Sequence, residues 1–200
     1  MPQSMDNIKK TLEKISGKKS TKDFGLCYNP EFIALGSVIY NLLNPDFVLI
    51  GESDNKAGEI LQRFYKKYCT NKPKISRMNF VNAELAKISL NTYITTKISY
   101  ANMLAEICEK LPGGNVDIVT EAIGLDSRVG KKYLKGGSAF GGPCFPRDNI
   151  AFISLAKKLK STFSIPKATH KTNLRQLNRL TEKVMQYWRN GKKVAILGVA

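Results

Sequence analysis

Several features are missing from this 200-residue chain. No stretch approaches the ~20 apolar residues that a membrane helix needs, so we expect no membrane partner. Residues 1–20 are polar and basic and lack the apolar core of a signal peptide. The cysteines form no C-x-x-C pair, so we expect no metal site; they are Cys27, Cys69, Cys108 and Cys144. These absences predict a cytoplasmic protein with free thiols.

Acidic residues are also scarce, because 16 Asp and Glu stand against 32 Lys and Arg, a formal net charge of +16. Residues 157–193 hold eleven Lys or Arg and one acid, Glu182. Such a segment is typical of a solvated helix face, an anion-binding surface or a surface for an acidic partner. A nucleic-acid-binding domain is a further alternative. No binding motif or aromatic-interleaved basic strand supports it, so we expect no nucleic-acid partner.

The hydrophobic fraction of 42% is typical of a globular chain, and its first part alternates strands and helices. The pattern predicts a helix over residues 6–15, strands over 24–28, 47–51 and 75–78, and a helix over about 55–68. This alternation indicates an α/β unit.

From Asn82 onward, apolar residues recur at spacings of three and four, which indicates helices. Residues 83–111 contain no Gly or Pro and predict one long, largely buried helix. Further helices are predicted over 115–123, about 148–160 and 167–190, and residues 192–200 fit a buried strand.

Cys144 is the strongest candidate for covalent chemistry. It stands in a glycine-rich loop between Gly142-Pro143 and Phe145-Pro146, and Arg147 and Asp148 follow. Glycines let a ligand approach the backbone, and prolines stiffen the loop. A neighbouring cation and a helix start both favour the thiolate, the nucleophilic form of cysteine. The other three cysteines fit buried structural thiols better.

A polar stripe on the long predicted helix is the second candidate site. Lys87 and Asn91 are one turn apart, and Thr95 and Asn102 lie near the same line. An ammonium and a carboxamide together can stabilise an oxyanion. The alternative is an ordinary polar surface line.

Three charged residues are less specific on their own. Glu31 follows Asn29-Pro30 at the end of a predicted strand, a usual place for active-site residues in α/β folds. Asp148 fits a helix cap or a base. Arg128 fits a surface charge or an anion ligand.

Four motifs follow one another along the chain. They are Tyr28-Asn-Pro-Glu-Phe32 with Gly36; Ala83-Glu84 with Lys87, Asn91, Lys97-Ile98 and Asn102; Asp126-Ser-Arg-Val-Gly130 with Tyr133-Leu134; and Gly141-Gly-Pro-Cys-Phe-Pro-Arg-Asp148. Together with Asn173 and Gln176, they resemble the UDP-glucose/GDP-mannose dehydrogenase family of nucleotide-sugar 6-dehydrogenases. Residues 33–35 depart from it, because Ile-Ala-Leu stands where many relatives have Leu-Arg-Glu.

The resemblance implies an α/β fold with a predominantly α-helical central domain and truncated Rossmann-like pieces at both ends, joined by a long connecting helix. Residues 1–79 would be the C-terminal part of an NAD-binding domain. Residues 80–190 would be the central dimerisation and catalytic domain, including the long helix 167–190. Residues 191–200 would be the first strand of a UDP-binding domain. The chain lacks the family's G-x-G-x-x-G fingerprint, so we expect a truncated protein.

The resemblance also implies the oxidation of a sugar primary alcohol to a carboxylate, with two NAD⁺ as the cofactor. Cys144 would capture the aldehyde as a thiohemiacetal, and a thioester would then be hydrolysed. Lys87 and Asn91 would stabilise the oxyanion. Asp148 and Glu31 would position and activate water.

Substrate and cofactor contacts are implied by the same resemblance. The loop from Tyr133 to Gly142 would lie along the nucleotide sugar. Arg128 would reach the sugar of the neighbouring subunit in a homodimer formed through the central domain. The predicted substrate-binding residues are Phe32, Arg128, Tyr133, Leu134, Lys135, Phe140 and Gly141. The predicted cofactor-binding residues are Glu31, Cys144 and Arg147.

UDP-glucose is the nucleotide-sugar substrate that we expect. The alternatives are a GDP-mannose or UDP-N-acetyl-sugar dehydrogenase, and a dimerisation module without catalytic activity.

Overall fold

The computed structural model describes residues 2–32, 36–195 and 197. The elements in this part of the chain are α1 Ser4–Ser16, β1 Cys27–Tyr28, α2 Val38–Leu43, β2 Phe47–Glu52, α3 Asn55–Tyr68, β3 Lys74–Met78, α4 Phe80–Lys110, α5 Val116–Gly124, α6 Phe145–Lys158 and α7 Ser164–Tyr187. This confirms the predicted mixed α/β class with a long central helix. The chain divides into two compact units, residues 1–90 and 91–200, and α4 runs from one into the other.

The first unit is built on a small sheet with the order β1-β2-β3. β2 is an almost uninterrupted apolar run, which suits a strand covered on both faces. β3 pairs with it in parallel after the crossover helix α3, whereas β1 pairs antiparallel. The core contains Val48, Ile50, Tyr65 and Cys69. This sheet places the Asn29-Pro30-Glu31 segment immediately after β1.

Helix α3 begins with an aspartate cap. The Asp54 carboxylate accepts a hydrogen bond from the Ala57 N–H (3.0 Å) and one from the Ser53 hydroxyl (2.7 Å). The Ser53 hydroxyl first, and then the Ala57 N–H, hold the pKa of Asp54 below its ordinary value. The N-terminus of α3 is therefore occupied by a carboxylate of the chain itself.

The second unit is helical in the described residues. Helices α6 and α7 pack against each other, and ion pairs join α7 to α4. Glu106 pairs with Arg175 (2.5 Å), and Glu109 pairs with Arg179 and with Lys183 (2.6 Å). Part of the basic segment noted in the sequence therefore neutralises acids of α4.

Among the helices that begin earlier than the sequence pattern predicted, two begin with a proline in the first turn. Helix α6 begins at Phe145 instead of about 148, with Pro146 in its first turn, and α7 spans Ser164–Tyr187 instead of 167–190, with Pro166 in its first turn. Proline is tolerated in a first turn because the backbone N–H there has no helical acceptor. Because α6 begins at Phe145, Cys144 is the residue that caps this helix.

The predicted elements need three further corrections. β1 is only two residues long instead of 24–28, and the short helix α2 was not predicted. Residues 192–195 and 197 form no strand, and 196 and 198–200, which belong to the same predicted strand, lie outside the described residues. No helix in the described part of the chain is long and apolar enough to cross a membrane.

Candidate active site

Cys144 is an exposed thiol at the start of α6. Its carbonyl oxygen accepts the Asp148 N–H (2.8 Å), which is the first backbone hydrogen bond of the helix. Cys69 and Cys108 are buried, and Cys27 is partly buried. Burial raises the pKa of the Cys69 thiol, and burial together with the Glu52 and Asp54 carboxylates raises the pKa of Cys27. Cys144 is thus the cysteine that a solute reaches most easily.

Asp148 is held in place one turn beyond Cys144. The buried Asn91 of α4 donates from Nδ2 to Asp148 Oδ2 (2.6 Å). Arg147 Nε lies 3.6 Å from the other carboxylate oxygen. The three predicted residues Cys144, Asp148 and Asn91 are therefore brought together at the first turn of α6, with Arg147 beside them. A thiol, a carboxylate and an amide donor in this arrangement are suited to covalent capture of a carbonyl.

Asn149 binds the first turn of α6 to α4. This residue was not identified from the sequence. Its side chain is fully buried, and Nδ2 donates to Thr95 Oγ1 (2.8 Å) and to the Phe145 carbonyl (2.9 Å). Asn91 and Thr95 stand on consecutive turns of α4, so Asp148 and Asn149 bind two successive turns of that helix. The only sequence signal was an asparagine next to a candidate catalytic residue.

Lys87, Glu31 and Phe32 meet within the first unit. Lys87 Nζ donates to the Glu31 carbonyl (2.7 Å) and lies 4.3 Å from the centroid of the Phe32 ring. The Phe32 ring in turn packs against Phe47, with 4.8 Å between centroids. The contact from Lys87 thus goes to the Glu31 backbone, and the Glu31 residue is exposed.

Asn29 fixes the backbone that leads to Glu31. Its Nδ2 donates to the Leu49 carbonyl (2.9 Å), and its Oδ1 accepts from the Tyr65 hydroxyl (2.6 Å). Burial, and after it the charge of Glu31, raise the pKa of Tyr65. The sequence identified Asn29 as part of a motif, but Tyr65 carried no visible signal.

The predicted substrate loop packs against the residue that follows Cys144. The rings of Tyr133 and Phe140 both meet Phe145 edge to face, with centroid distances of 6.5 and 6.2 Å. Leu134 and Phe140 are buried, whereas Tyr133 is exposed and has φ +61°.

Other predicted loop residues face solvent. Lys135 and Gly141 are exposed, and a Cβ added at Gly141 would meet nothing within 4 Å. Carboxamides of Asn102, Asn173 and Gln176 bind the backbone of the loop from behind.

Arg128 binds a neighbour in sequence. Its guanidinium pairs with Asp126 (2.6 Å), which raises the pKa of Arg128 and lowers that of Asp126. Lys97 donates to the carbonyls of Val129 and Gly130 (3.0 and 3.1 Å) and fixes this turn. In the described part of the chain, Arg128 does not join the Cys144 group.

NAD is the group that the predicted activity requires. Its pyrophosphate needs free N–H groups at a helix start, usually behind a glycine-rich turn. The start of α3 does not fit, because the Asp54 carboxylate takes its N–H and brings negative charge, and the sequence has no G-x-G-x-x-G run. No described residue is therefore assigned to the pyrophosphate, and the cofactor-binding roles of Glu31, Cys144 and Arg147 stay predictions.

Two sequence profiles of one family match most of the chain. Residues 1–69 match the NAD binding domain of the UDP-glucose/GDP-mannose dehydrogenase family, and residues 81–175 match its central domain. NAD is thus the cofactor of the family domain to which residues 1–69 correspond. The predicted domain boundaries after residues 79 and 190 stay predictions.

Curated relatives carry dehydrogenase names. The UDP-glucose 6-dehydrogenase TuaD of Bacillus subtilis is 34% identical over 184 residues, which cover 91% of this chain and 39% of that protein. A UDP-glucose 6-dehydrogenase of Rickettsia felis is 32% identical over 201 residues, covering 99% of this chain and 44% of that protein. The chain spans less than half the length of these relatives.

Solved structures agree with the fold. A UDP-glucose dehydrogenase from Pyrobaculum islandicum superposes with a TM-score of 0.75 at 32% identity, covering 86% of this chain and 40% of that one. A UDP-D-ManNAc dehydrogenase from Pyrococcus horikoshii has a TM-score of 0.81 at 24% identity, covering 92% and 42%, and supports the fold alone. With the ordered motifs, the two profile matches and these relatives, the chain belongs to the UDP-glucose/GDP-mannose dehydrogenase family.

Proposed function

We propose that this chain carries the nucleophile and acid–base residues of an NAD-dependent nucleotide-sugar 6-dehydrogenase that converts UDP-glucose to UDP-glucuronate. The observation that carries the proposal is the hydrogen bond from Asn91 to Asp148, one turn beyond the exposed Cys144. It supports the proposal because a thiol, a carboxylate and an amide donor meet at one helix start. Relatives named UDP-glucose 6-dehydrogenases support the choice of UDP-glucose.

Cys144 performs the covalent part of the reaction. Its thiolate adds to the C6 aldehyde carbon, so that a C–S bond forms and the carbonyl oxygen takes the negative charge. NAD, when bound, would supply the hydride acceptor for both oxidations, of the alcohol to the aldehyde and of the thiohemiacetal to the thioester. In the final hydrolysis, water attacks the thioester carbon, Asp148 takes a proton from that water, and the C–S bond breaks to return the thiolate.

Lys87 and Asn91 stabilise the charge that develops on the substrate oxygen. Both stand on α4, one turn apart, and each is oriented by a hydrogen bond, to the Glu31 carbonyl and to Asp148 respectively. Preoriented donors cost little reorganisation during the reaction. Glu31 positions the hydrolytic water, and Glu31 with Arg147 and Cys144 contacts the cofactor.

The loop from Tyr133 to Gly142 lies along the nucleotide sugar. Gly137 and Gly141 support this role, because a Cβ at either position would meet nothing within 4 Å, so their open side leaves room for a ligand. Phe32 and Arg128, the latter from the neighbouring subunit, complete the sugar contacts. Arg128 is extended into solvent, with 88% of its side chain exposed, which suits a contact to another subunit.

A homodimer through the central helix is part of the proposal. Tyr93, Tyr100 and Ile107 recur every seven residues on α4, with Met103 between them, and all four side chains are 42–62% exposed. An apolar stripe of this kind marks an association surface. The same stripe favours the alternative function, a dimerisation module without activity. A cytoplasmic location is also proposed, because an exposed free thiol persists in a reducing compartment.

The experiment follows NADH absorbance when the chain is mixed with NAD⁺ and UDP-glucose, GDP-mannose or a UDP-N-acetyl sugar. We expect any NADH that forms to appear with UDP-glucose, to be lost in Cys144→Ala and to be retained in the matched variant Cys27→Ala. Turnover that survives Cys144→Ala would contradict the nucleophile. A folded dimer that makes no NADH with any sugar would favour the module without activity.

A further inference from the structure

The backbone of loop residues 136–140 is hydrogen-bonded by side chains, because the loop itself forms neither a helix nor a strand. The Gly137 N–H donates to Asn102 Oδ1 (2.8 Å), and Asn102 Nδ2 donates to the Ser138 carbonyl (3.2 Å). Gln176 Nε2 donates to the Gly137 carbonyl (2.5 Å). The first half of the loop is thus fixed by α4 and α7 within the second unit.

Asn173 binds the backbone at the end of the loop in the same way. Its Oδ1 accepts the Phe140 N–H (2.8 Å), and its Nδ2 donates to the Phe140 carbonyl (2.9 Å). Backbone N–H and C=O groups that are removed from water need hydrogen-bond partners, and in this loop carboxamide side chains supply them. We call Asn102, Asn173 and Gln176 the carboxamide clamp.

The clamp is itself immobilised. Asn102 and Gln176 are 2% and 5% exposed. Gln176 Oε1 accepts from Arg179 (3.2 Å), and Arg179 is ion-paired with Glu109 of α4. Both polar atoms of the Gln176 carboxamide are therefore hydrogen-bonded, Nε2 to Gly137 and Oε1 to Arg179.

The two sides of the loop differ. A Cβ at Gly136 would lie 3.0 Å from Ala105 Cβ and 3.2 Å from Val116 Cγ2, so this residue packs tightly against the helices. A Cβ at Gly137 would meet nothing within 4 Å. The clamp binds the loop while leaving an open side.

We propose that the carboxamide clamp positions loop 136–140 in its sugar-binding shape before the nucleotide sugar arrives. The inference rests on the proposed function of this loop. A binding loop that is ordered in advance avoids the entropic cost of ordering on association. The clamp residues do not touch the reacting atoms, so their loss raises KM and leaves kcat nearly unchanged.

The first test is amide hydrogen exchange, resolved to single residues. Asn173→Ala should speed exchange of the Phe140 N–H by about tenfold or more, because its acceptor is lost. Asn173→Asp keeps an acceptor oxygen and should restore most of the protection at Phe140. The exposed Asn178→Ala, on the same helix, is the matched control and should change nothing at Phe140. Exchange at Phe140 within twofold of wild type in Asn173→Ala would overturn the clamp.

The second test measures sugar binding without turnover. The probe is the 6-aldehyde of UDP-glucose, and the readout is the concentration that halves iodoacetamide labelling of Cys144. In Asn173→Ala this concentration should rise about tenfold, the effect of roughly one or two lost hydrogen bonds. The labelling rate without aldehyde should stay within twofold of wild type.

The outcomes separate the two proposals. Faster exchange at Phe140 with an unchanged half-protecting concentration would overturn the positioning role. An aldehyde that fails to protect Cys144 even in the wild-type chain would instead refute the proposed function. A rise for Asn173→Ala, but none for Asn178→Ala, supports the clamp.

Discussion

The Asp148 carboxylate has a different neighbour at each of its two oxygens. Asn91 donates to one carboxylate oxygen, and Arg147 lies 3.6 Å from the other. A carboxylate that takes a proton from water needs this fixed orientation, because proton transfer requires a hydrogen-bond distance to the reacting water. In the proposed mechanism Asn91 therefore has two roles, as an oxyanion donor and as the group that orients Asp148.

Asn91→Ala should lower kcat/KM by about 10²-fold, since it removes both contributions at once. Thermal unfolding should also show a loss of about 1–3 kcal/mol in the free energy of unfolding, because a buried polar group is left without its partner. Steady-state NADH kinetics beside calorimetry separate the two effects, and Asn178→Ala serves as the exposed control. An unchanged kcat/KM in a folded Asn91→Ala chain would remove Asn91 from the site.

The residue types of the site could be predicted from the sequence, but their connections could not. Cys144 is conspicuous among prolines and glycines, and the spacing of Lys87 and Asn91 follows from helix geometry. The hydrogen bonds of Asn149 and of the clamp were not predicted, because a side-chain bond to a distant backbone leaves no periodic trace in the sequence. Such bonds depend on how helices far apart in sequence pack together.

Among elements, β2 and the start of α4 are in close contact at Gly51. A Cβ at Gly51 would lie 2.8 Å from Ala83 Cβ and 3.3 Å from Tyr28 Cβ. This contact holds the sheet of the first unit against its helix. Neither atom belongs to a flexible side-chain end, so the backbone itself would have to shift.

Gly51→Ala should therefore destabilise the chain by about 1–3 kcal/mol, the usual cost of overpacking. Gly137→Ala is the matched comparison, because its Cβ would meet nothing within 4 Å, and its effect should be under about 0.5 kcal/mol. Urea unfolding gives both values. Equal losses for the two variants would contradict the close packing at Gly51.

Ion pairs between α4 and α7 make the second unit sensitive to acid. Lys110 first, together with Arg175, lowers the pKa of Glu106, and Lys183 followed by Arg179 lowers the pKa of Glu109. A carboxylate whose pKa is lowered by folding stabilises the fold above its unfolded pKa. That stability is lost as pH falls through its folded pKa.

The urea concentration at the unfolding midpoint should thus decrease as the pH is lowered from neutral to about 3. Glu109→Gln should make this decrease smaller. Glu121→Gln is the control, since Glu121 is exposed and lies 3.6 Å from Lys131. If Glu109→Gln leaves the acid dependence of the midpoint unchanged, the α4–α7 pairs do not contribute to it.

Element boundaries were predictable where composition decides them and not where tertiary contacts do. The long run without Gly or Pro predicted α4 as one uninterrupted helix, because nothing in that run interrupts a helix. The starts of α6 and α7 were placed too late, since a proline is compatible with a first helical turn. β1 is shortened because only Cys27 and Tyr28 pair with β2.

For the whole molecule, the charge of +16 is less uniform than it first appears. Arg175, Arg179 and Lys183 are paired with acids of α4, so part of the basic segment serves helix packing. The chain also presents the apolar α4 stripe, which a monomer would leave in water. We therefore expect association to be governed by this stripe.

Tyr100→Glu should convert a dimer to a monomer, because it places a charge in the middle of the stripe, where burial without a partner is costly. Tyr187→Glu, which alters a tyrosine that is 83% exposed at the end of α7, should leave the dimer intact. Sedimentation velocity measures both. A Tyr100→Glu chain that sediments like the wild type would place the interface elsewhere.

The central claim is that Cys144 captures an aldehyde, and peptide-resolved alkylation tests it most directly. The chain is treated with iodoacetamide, with and without the 6-aldehyde of UDP-glucose, and each cysteine peptide is quantified by mass spectrometry. Cys144 should be labelled first of the four, at least about tenfold faster than the buried Cys69 and Cys108. The aldehyde should protect Cys144 alone. Labelling of Cys144 at the same rate with and without the aldehyde would contradict the account.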